Sequence, residues 1–310
     1  MQVPAVTSQD CGLMASHFRH MAQAIRLARR GQYTVHPNPR VGCILVKNDV
    51  VIAEGWHQRA GGPHAEAMAL ARAGELARSA TAYVSLEPCS HHGRTPPCAE
   101  ALIAAGVSRV VVAMRDPNPQ VAGQGFDRLR AAGVKVVDGI MEPQARALNP
   151  GYLARHERGK PWVRLKLAVS LDGRTAMASG ESAWITGTAA RRDVQYLRAR
   201  ADAVMTGSGT VLADDPALNV RLSAAELGIS GHVRQPLRVI LDGRLRVPQQ
   251  ATILSLPGRV LVYAQRDRHD RPMSALPEPV EMATVSGVDG SLDLREIMSD
   301  LCARDIGEVH

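Results

Sequence analysis

Four residues in the first hundred have the types and spacing for metal-assisted proton chemistry: His64, Glu66, Cys89 and Cys98. Two thiolates and a neutral imidazole suit zinc, and three protein ligands leave a fourth position open, as in a catalytic site. The ion lowers the pKa of a bound water toward neutrality, and a neighbouring carboxylate can take the water's proton and return it to a leaving group. Glu66 stands two residues after His64. Side chains at i and i+2 do not face each other on a regular helix. The pair shares a site only from a first helical turn, pointing around the helix end. Cys98 opens a helix in this reading, where the positive dipole end favours a thiolate. Gly61 and Gly62 let backbone and substrate approach closely.

The stretch "EPCSHHGRTPPC" (87–98) places His91 and His92 between two cysteines that have eight residues between them. That gap is wider than the two to four residues of a structural zinc finger. Alone, "HAE" in an alanine-rich helix fits an ordinary helix surface, and Cys-x8-Cys fits two small buried hydrophobes. Pro88 before Cys89, a preceding strand and "HPNPRVG" (36–42) upstream change that reading. Together they match the H-x-E and P-C parts of the zinc-deaminase signature, whose second cysteine stands closer to the first.

The elements that must position these residues follow from periodicity and punctuation. Ser16 caps a helix carrying Phe18, Met21, Ala22, Ile25 and Ala28, stopped by Gly31. "VGCILV" (41–46) and "VVIAEG" (50–55) read as a hairpin around "KND". Pro63 takes a first helical position in "HAEAMALARAG", which Gly74 ends. Strands at 81–86, 109–114 and 134–138 alternate with helices at 98–105 and 125–132, which predicts an α/β layer with a buried sheet. "HERGKP" (156–161) reads as a linker. Beyond it a strand "WVRLKLAVS", a helix over 188–200, strands at "DAVMTG", 237–242 and 259–264, and a helix near 292–303 form a second α/β unit. Residues 222–236 and 265–280 read as loops. The expected domains are 1–156 and 161–310.

The second half has no G-x-G-x-x-G after a strand, so the usual dinucleotide fingerprint is missing. Its Gly-rich turn "TGSGTVLADDP" (206–216) follows a strand and offers backbone N–H groups to phosphate. The chain carries a net charge of +7, which suits a phosphorylated substrate or cofactor, or nucleic acid. Aromatic residues are only 3%, which argues against stacking platforms for single-stranded nucleic acid. Five unevenly spaced cysteines give no disulfide framework and point to a reducing cytoplasm. No signal peptide or membrane span is expected.

"HAE", the 87–98 loop, "HPNPRVG" and "DPNPQVAGQG" (116–125) closely resemble the deaminase half of the bifunctional deaminase–reductase family of riboflavin biosynthesis. "KLAVSLDGRTA" (166–176), "SAWITG" (182–187) and "GSGTVLADDP" resemble its reductase half. The resemblance covers essentially the whole chain. It implies a cytidine-deaminase-like α/β domain followed by a dihydrofolate-reductase-like α/β domain. It implies zinc held by His64, Cys89 and Cys98, with Glu66 as proton shuttle and Asn38 on the pyrimidine. His91, His92 and Arg94 then face substrate. In the second half, Ala168, Trp184, Thr210 and Asp214 line NADPH, while Ser182, Arg198, Leu218 and Arg221 hold the phosphorylated substrate. The implied substrate is a diaminopyrimidinone ribosyl phosphate, deaminated and then reduced at the ribose. The expected assembly is a homo-oligomer that engages neither nucleic acid nor membrane.

The chain ends "LCARDIGEVH", where the family continues into a glycine-containing cofactor loop and further strands. The expectation is therefore a reductase half incomplete at its C-terminus. Two other readings stand beside the bifunctional enzyme. One is a deaminase with a degenerate second half; the other is a nucleic-acid-binding protein carrying a deaminase domain, whose binding would fall steeply with salt.

Overall fold

Alternation along "GCILVK" decides how the first sheet is covered. Cys43 and Leu45 are buried on one face, and Ile44 and Val46 on the other. A strand buried on both sides needs a helical layer on each. The computed structural model describes residues 8–90, 97–181, 184–266, 279–288 and 290–310. The chain divides into two compact units, Met1–Arg158 and Gly159–His310.

The first unit runs α1 (Ser8–Ala28), β1 (Gly42–Lys47), β2 (Val50–Trp56), α2 (Ala65–Ala73), β3 (Thr81–Val84) and α3 (Cys98–Ala104). It continues through β4 (Arg109–Val112), α4 (Gln124–Ala131), β5 (Lys135–Val137), α5 (Glu142–Leu148) and α6 (Pro150–Arg158). The sheet order is β2-β1-β3-β4-β5, with β1 antiparallel to both neighbours and β3, β4 and β5 parallel. Ala65, Ala69, Leu102, Phe126 and Leu129 bring α2, α3 and α4 onto one face. Met21, Ile25, Leu148 and Leu153 bring α1, α5 and α6 onto the other.

Two glycines set how closely the helices sit. A Cβ on Gly42 would lie 2.1 Å from the Ala24 carbonyl oxygen, and one on Gly55 would lie 2.2 Å from that of Ala65. Only a residue without a side chain lets α1 and α2 lie this close to the sheet. The β1–β2 hairpin turns through Asn48 and Asp49, both with positive φ (51° and 62°). That is the geometry whose twist matches paired strands, and Asn and Asp tolerate it.

Three expected boundaries shift in this unit. Ser16 lies inside α1, not at its cap, and its hydroxyl donates to Asp49 at 2.7 Å. His64, with extended backbone (φ −74°, ψ 165°), is the N-cap of α2, so Pro63 precedes the helix. His156–Arg158 finish α6, so half of the expected linker is helix.

The second unit contains β6 (Trp162–Val163), α7 (Thr188–Arg200), β7 (Ala203–Gly207), α8 (Ser208–Asp214), α9 (Ala224–Leu227), β8 (Leu237–Leu241) and α10 (Thr252–Ser255). It then has β9 (Val260–Gln265), β10 (Val280–Val285), β11 (Gly287–Val288), β12 (Ser291–Leu292), α11 (Leu294–Ala303) and β13 (Glu308–Val309). Its main sheet has the order β10-β9-β8-β7-β13-β6, every pair parallel. Ile297 and Leu301 of α11 pack on one face; Val211 of α8 and Ile253 of α10 pack on the other. The Asp202 carboxylate accepts the N–H groups of Gly307 and Glu308 at 2.9 and 2.8 Å, which ties β13 into the sheet.

Here too the sequence reading needs correction. The expected strand "WVRLKLAVS" forms only at Trp162–Val163, paired with Glu308–Val309 of β13. Beyond it Leu165, Leu167, Val169 and Leu171 are exposed. The segment expected as loop at 222–236 holds α9, with a capping box between Ser223 and Glu226. Of the loop expected at 265–280, residues 267–278 lie outside the described residues, and β10 begins at Val280. The Gly-rich "turn" after β7 is a helix that begins at once, with Gly207 as its N-cap.

Candidate functional site

The N-terminal ends of α2 and α3 deliver His64 and Cys98, and the segment between β3 and α3 delivers Cys89. As N-cap, His64 is free of helical geometry, and its ring projects past the helix start. Cys98 is the first residue of α3, and its backbone N–H donates to Cys89 Sγ at 3.3 Å. The Ala99 N–H holds the Cys89 carbonyl at 3.2 Å. His64 Nδ1 lies 3.3 Å from Cys98 Sγ and 3.6 Å from Cys89 Sγ, and the three ligand atoms fall within 4.8 Å of one another. Ligand atoms around a tetrahedral zinc stand about 3.5–3.8 Å apart, given Zn–N and Zn–S bonds of about 2.0–2.3 Å. The donor set therefore fits zinc in chemistry and in spacing.

The three candidate ligands shift one another's proton affinities. Hydrogen bonding from Cys98 and His64 holds the Cys89 thiol well below its ordinary value; the same contact with Cys89, together with burial, pushes Cys98 up. His64 is raised, chiefly by its hydrogen bond with Cys89. Glu66 is 3% exposed on the first turn of α2. Burial, then the charge of Cys89, pushes its carboxyl up to about 7.

A cavity of about 230 Å³ opens onto this cluster, lined by Asn38, His57, His64, Glu66, Cys89 and Asp116 among others. His57 Nδ1 is 3.0 Å from the Pro63 carbonyl oxygen, which makes that nitrogen the donor. Its Nε2 then accepts from Asn38 Nδ2 at 3.1 Å. The chain of bonds orients the Asn38 amide, leaving its Oδ1 for a ligand donor. His91, His92 and Arg94 lie outside the described residues.

Sequence reasoning singled out none of three further residues at this cavity. The buried Glu87 carboxylate accepts backbone N–H groups from Asp116, Gly123 and Gly125, which folds "DPNPQVAGQG" against the site. Asp116 Oδ1 accepts the Tyr152 hydroxyl at 2.9 Å and the Asn118 N–H at 2.8 Å, and burial pushes Asp116 up to about 6. The only sequence signal for these was the motif itself. Nothing in it shows which carboxylate turns inward.

In the second unit the expected residues fall into separate groups. Thr210 and Asp214 are exposed on α8, one turn apart on the same face. Arg198 of α7 donates to the Asn219 carbonyl at 3.3 Å, and Gln195 of the same helix accepts the Arg221 N–H at 3.0 Å. Burial and the nearby charge of Arg221 lower the pKa of Arg198, so two cations face one region beside Leu218. Trp184 is 78% exposed, not core, and stacks 4.3 Å from the Arg191 guanidinium. Ala168 is half-buried. No hydrogen bond or ring contact among the described residues joins Ala168 or Trp184 to α8. Ser182 lies outside the described residues.

Known proteins match both units. Residues 14–114 match the cytidine and deoxycytidylate deaminase zinc-binding region, and residues 161–310 match the RibD C-terminal domain. The riboflavin biosynthesis protein RibD of Escherichia coli (strain K12) is 52% identical over 94% of this chain and 79% of its own length. The chain belongs to the RibD family.

Solved structures of that family agree over nearly the whole chain. Acinetobacter baumannii RibD superposes with a TM-score of 0.85 at 49% identity, covering 96% of this chain and 80% of its own. A Thermotoga maritima protein described as a diaminohydroxyphosphoribosylaminopyrimidine deaminase/5-amino-6-(5-phosphoribosylamino)uracil reductase gives 0.84 at 36% identity, with the same coverage. RibD proteins are the bifunctional deaminase–reductases of riboflavin biosynthesis, and this chain carries both domains. The first is a zinc-binding deaminase domain and the second a reductase domain of an NADPH-using family.

Proposed function

We propose that the first unit hydrolytically deaminates 2,5-diamino-6-(5-phosphoribosylamino)pyrimidin-4-one and that the second then reduces the ribosyl group with NADPH, giving 5-amino-6-(5-phosphoribitylamino)uracil. The observation that carries the reading is the convergence of His64, Cys89 and Cys98 beside the buried carboxyl of Glu66.

His64, Cys89 and Cys98 would hold the zinc, which when bound makes a water nucleophilic near neutral pH. Glu66 takes the proton of the attacking water and delivers it to the departing amino nitrogen, so that a ring C–N bond is exchanged for a carbonyl and ammonia leaves. Asn38, oriented by His57, presents its amide oxygen to a donor on the pyrimidine. The fixed Asn38–His57–Pro63 chain costs little reorganisation when the ring enters.

In the second unit Ala168, Trp184, Thr210 and Asp214 line the nicotinamide cofactor, which when bound supplies a hydride for C1 of the open-chain ribose. Arg198 and Arg221, with Ser182 and Leu218, hold the phosphorylated substrate. Paired guanidiniums suit that task because each offers a planar fork of donors to phosphate oxygens. Zinc-ligating thiols stay available in a reducing compartment, and we place the protein in the cytoplasm as a homo-oligomer acting on this small molecule, not on nucleic acid or membrane. The test is one preparation assayed for bound zinc, ammonia release and NADPH oxidation on the pyrimidine ribosyl phosphate. All three signals are expected. Zinc and ammonia without NADPH oxidation would leave a deaminase alone.

A further inference from the structure

Three residues of α6 border the cavity that opens onto the metal cluster: Tyr152, Arg155 and His156. They stand three and four positions apart, which places them on one face of the helix. None was singled out in the sequence, and no step of the deamination proposed above uses them.

The start of this helix is anchored beside the pyrimidine-facing segment. Asn149, just before α6, is buried; its Oδ1 accepts the Arg40 N–H at 2.8 Å, and its Nδ2 donates to the Arg40 carbonyl at 3.0 Å. One side chain thus holds both backbone polar groups of a residue in "HPNPRVG", two positions beyond Asn38.

Nearly one turn later, Tyr152 reaches the other segment that lines the cavity. Its hydroxyl donates to Asp116 Oδ1 at 2.9 Å, and its ring lies 4.5 Å from that of His156. The Asn118 N–H donates to the same oxygen at 2.8 Å. Both bonds take Oδ1, and among the described residues none takes Oδ2. The torsion that sets an aspartate carboxyl plane is broad and nearly two-fold. The Asn118 bond travels with the turn that carries Asp116, so by itself it leaves that plane loosely set. The Tyr152 bond comes from a helix anchored elsewhere and fixes it. Burial, then the charge of Asp116, pushes the Tyr152 hydroxyl up, so it stays a donor.

A buried acceptor is costly unless a donor meets it. Asp116 is buried and borders the cavity, so the donor that meets Oδ2 arrives with the substrate. The ring amino and sugar hydroxyl groups of a pyrimidine ribosyl compound supply such donors. We propose that Tyr152 is a positioning residue of the deaminase site, whose hydroxyl orients the Asp116 carboxylate to receive a substrate donor on Oδ2. The assignment rests on the reading of the first unit as a deaminase of the pyrimidine ribosyl phosphate.

The test is steady-state ammonia release by the full chain on that substrate, with zinc content measured on each preparation. Tyr152→Phe keeps the ring against His156 and removes only the hydroxyl. It should raise KM about 5–30-fold and leave kcat within about 3-fold, because the weakened interaction is common to ground and transition states. A chain that merely folds less well lowers the active fraction, hence apparent kcat, and leaves KM in place. Asp116→Asn, equal in shape, turns the Oδ2 acceptor into a donor and should raise KM about 10–100-fold. In that background Tyr152→Phe should cost less than about 2-fold more, since a positioning residue has nothing left to position. An unchanged KM in Tyr152→Phe, a fall in kcat at constant KM, loss of zinc, or losses that multiply in the double variant would each overturn the proposal and leave the deaminase reading standing. No ammonia release by the wild type would overturn both.

Discussion

Position, not residue type alone, makes Glu66 the candidate proton carrier. Because His64 caps α2, the ligand and the carboxylate two residues later occupy the non-helical cap and the first turn, which is how an i, i+2 pair comes to face one point. Glu66→Ala should keep the zinc, since the three ligands are untouched, and lower ammonia release by about 10²–10⁴-fold, the usual contribution of a positioned acid–base group. Metal analysis beside a turnover assay checks this, and loss of zinc would remove Glu66 from the role of proton carrier. Asp116 offers a pH test at the same scale. Its carboxyl is 6% exposed and pushed up to about 6 from an ordinary value near 3.8. Below pH 4 it is protonated in the folded and unfolded chains alike, and its burial carries no ionisation penalty. As pH rises through 6 the folded state resists ionisation, and stability falls by about 2–3 kcal/mol. Asp116→Asn keeps the Oδ1 acceptor for Tyr152, so it should raise the melting temperature at pH 8 and leave it unchanged below pH 4. Parallel melting curves across that range would show that Asp116 ionises without cost.

Among the elements, β2 and α2 bear most directly on the metal. Gly55 lets the start of α2 lie on the strand, where a Cβ would be 2.2 Å from the Ala65 carbonyl and 2.7 Å from the Ala69 N–H. Ala65 sits between His64 and Glu66, so a push there moves ligand and carboxylate together. Gly55→Ala should cost about 1–3 kcal/mol, as overpacking does in dense cores, and release zinc to a weak chelator that leaves the wild type loaded. Full retention with unchanged stability would mean that α2 gives way without moving His64. Most elements of the first unit were legible because period-two and period-3.6 patterns are local properties of the chain. Of the expected strand over 162–170, only Trp162–Val163 is a strand, the two residues paired with Glu308–Val309. The helix start at Ser208 was read as a turn because glycines at 207 and 209 signal turns locally, whereas the packing of Val211 against Ile240 and Val262 makes the segment helical.

As a whole, the molecule consists of two units with their own cores, and all three candidate metal ligands lie in the first. Two melting transitions are expected in calorimetry, since separate cores need not unfold together. Removing zinc with a strong chelator should lower one transition by several degrees and leave the other in place, because only the state that binds the ligand gains its binding free energy. A single transition that shifts as one would show that the units unfold together. By itself the sequence offered His64, Cys89 and Cys98 as candidate zinc donors and Glu66 as the carboxylate beside them, and it carried the α/β class and the family motifs, since residue types and short spacings carry that chemistry wherever the chain goes. Only the tertiary structure decided what those spacings leave free. It brought His64 across 25 and 34 residues of chain to Cys89 and Cys98. It turned Glu87 inward to fold "DPNPQVAGQG", and it brought the Tyr152 hydroxyl to Asp116. The physical reason is that burial and close approach depend on which surfaces meet, and the linear sequence records each surface without recording its partner.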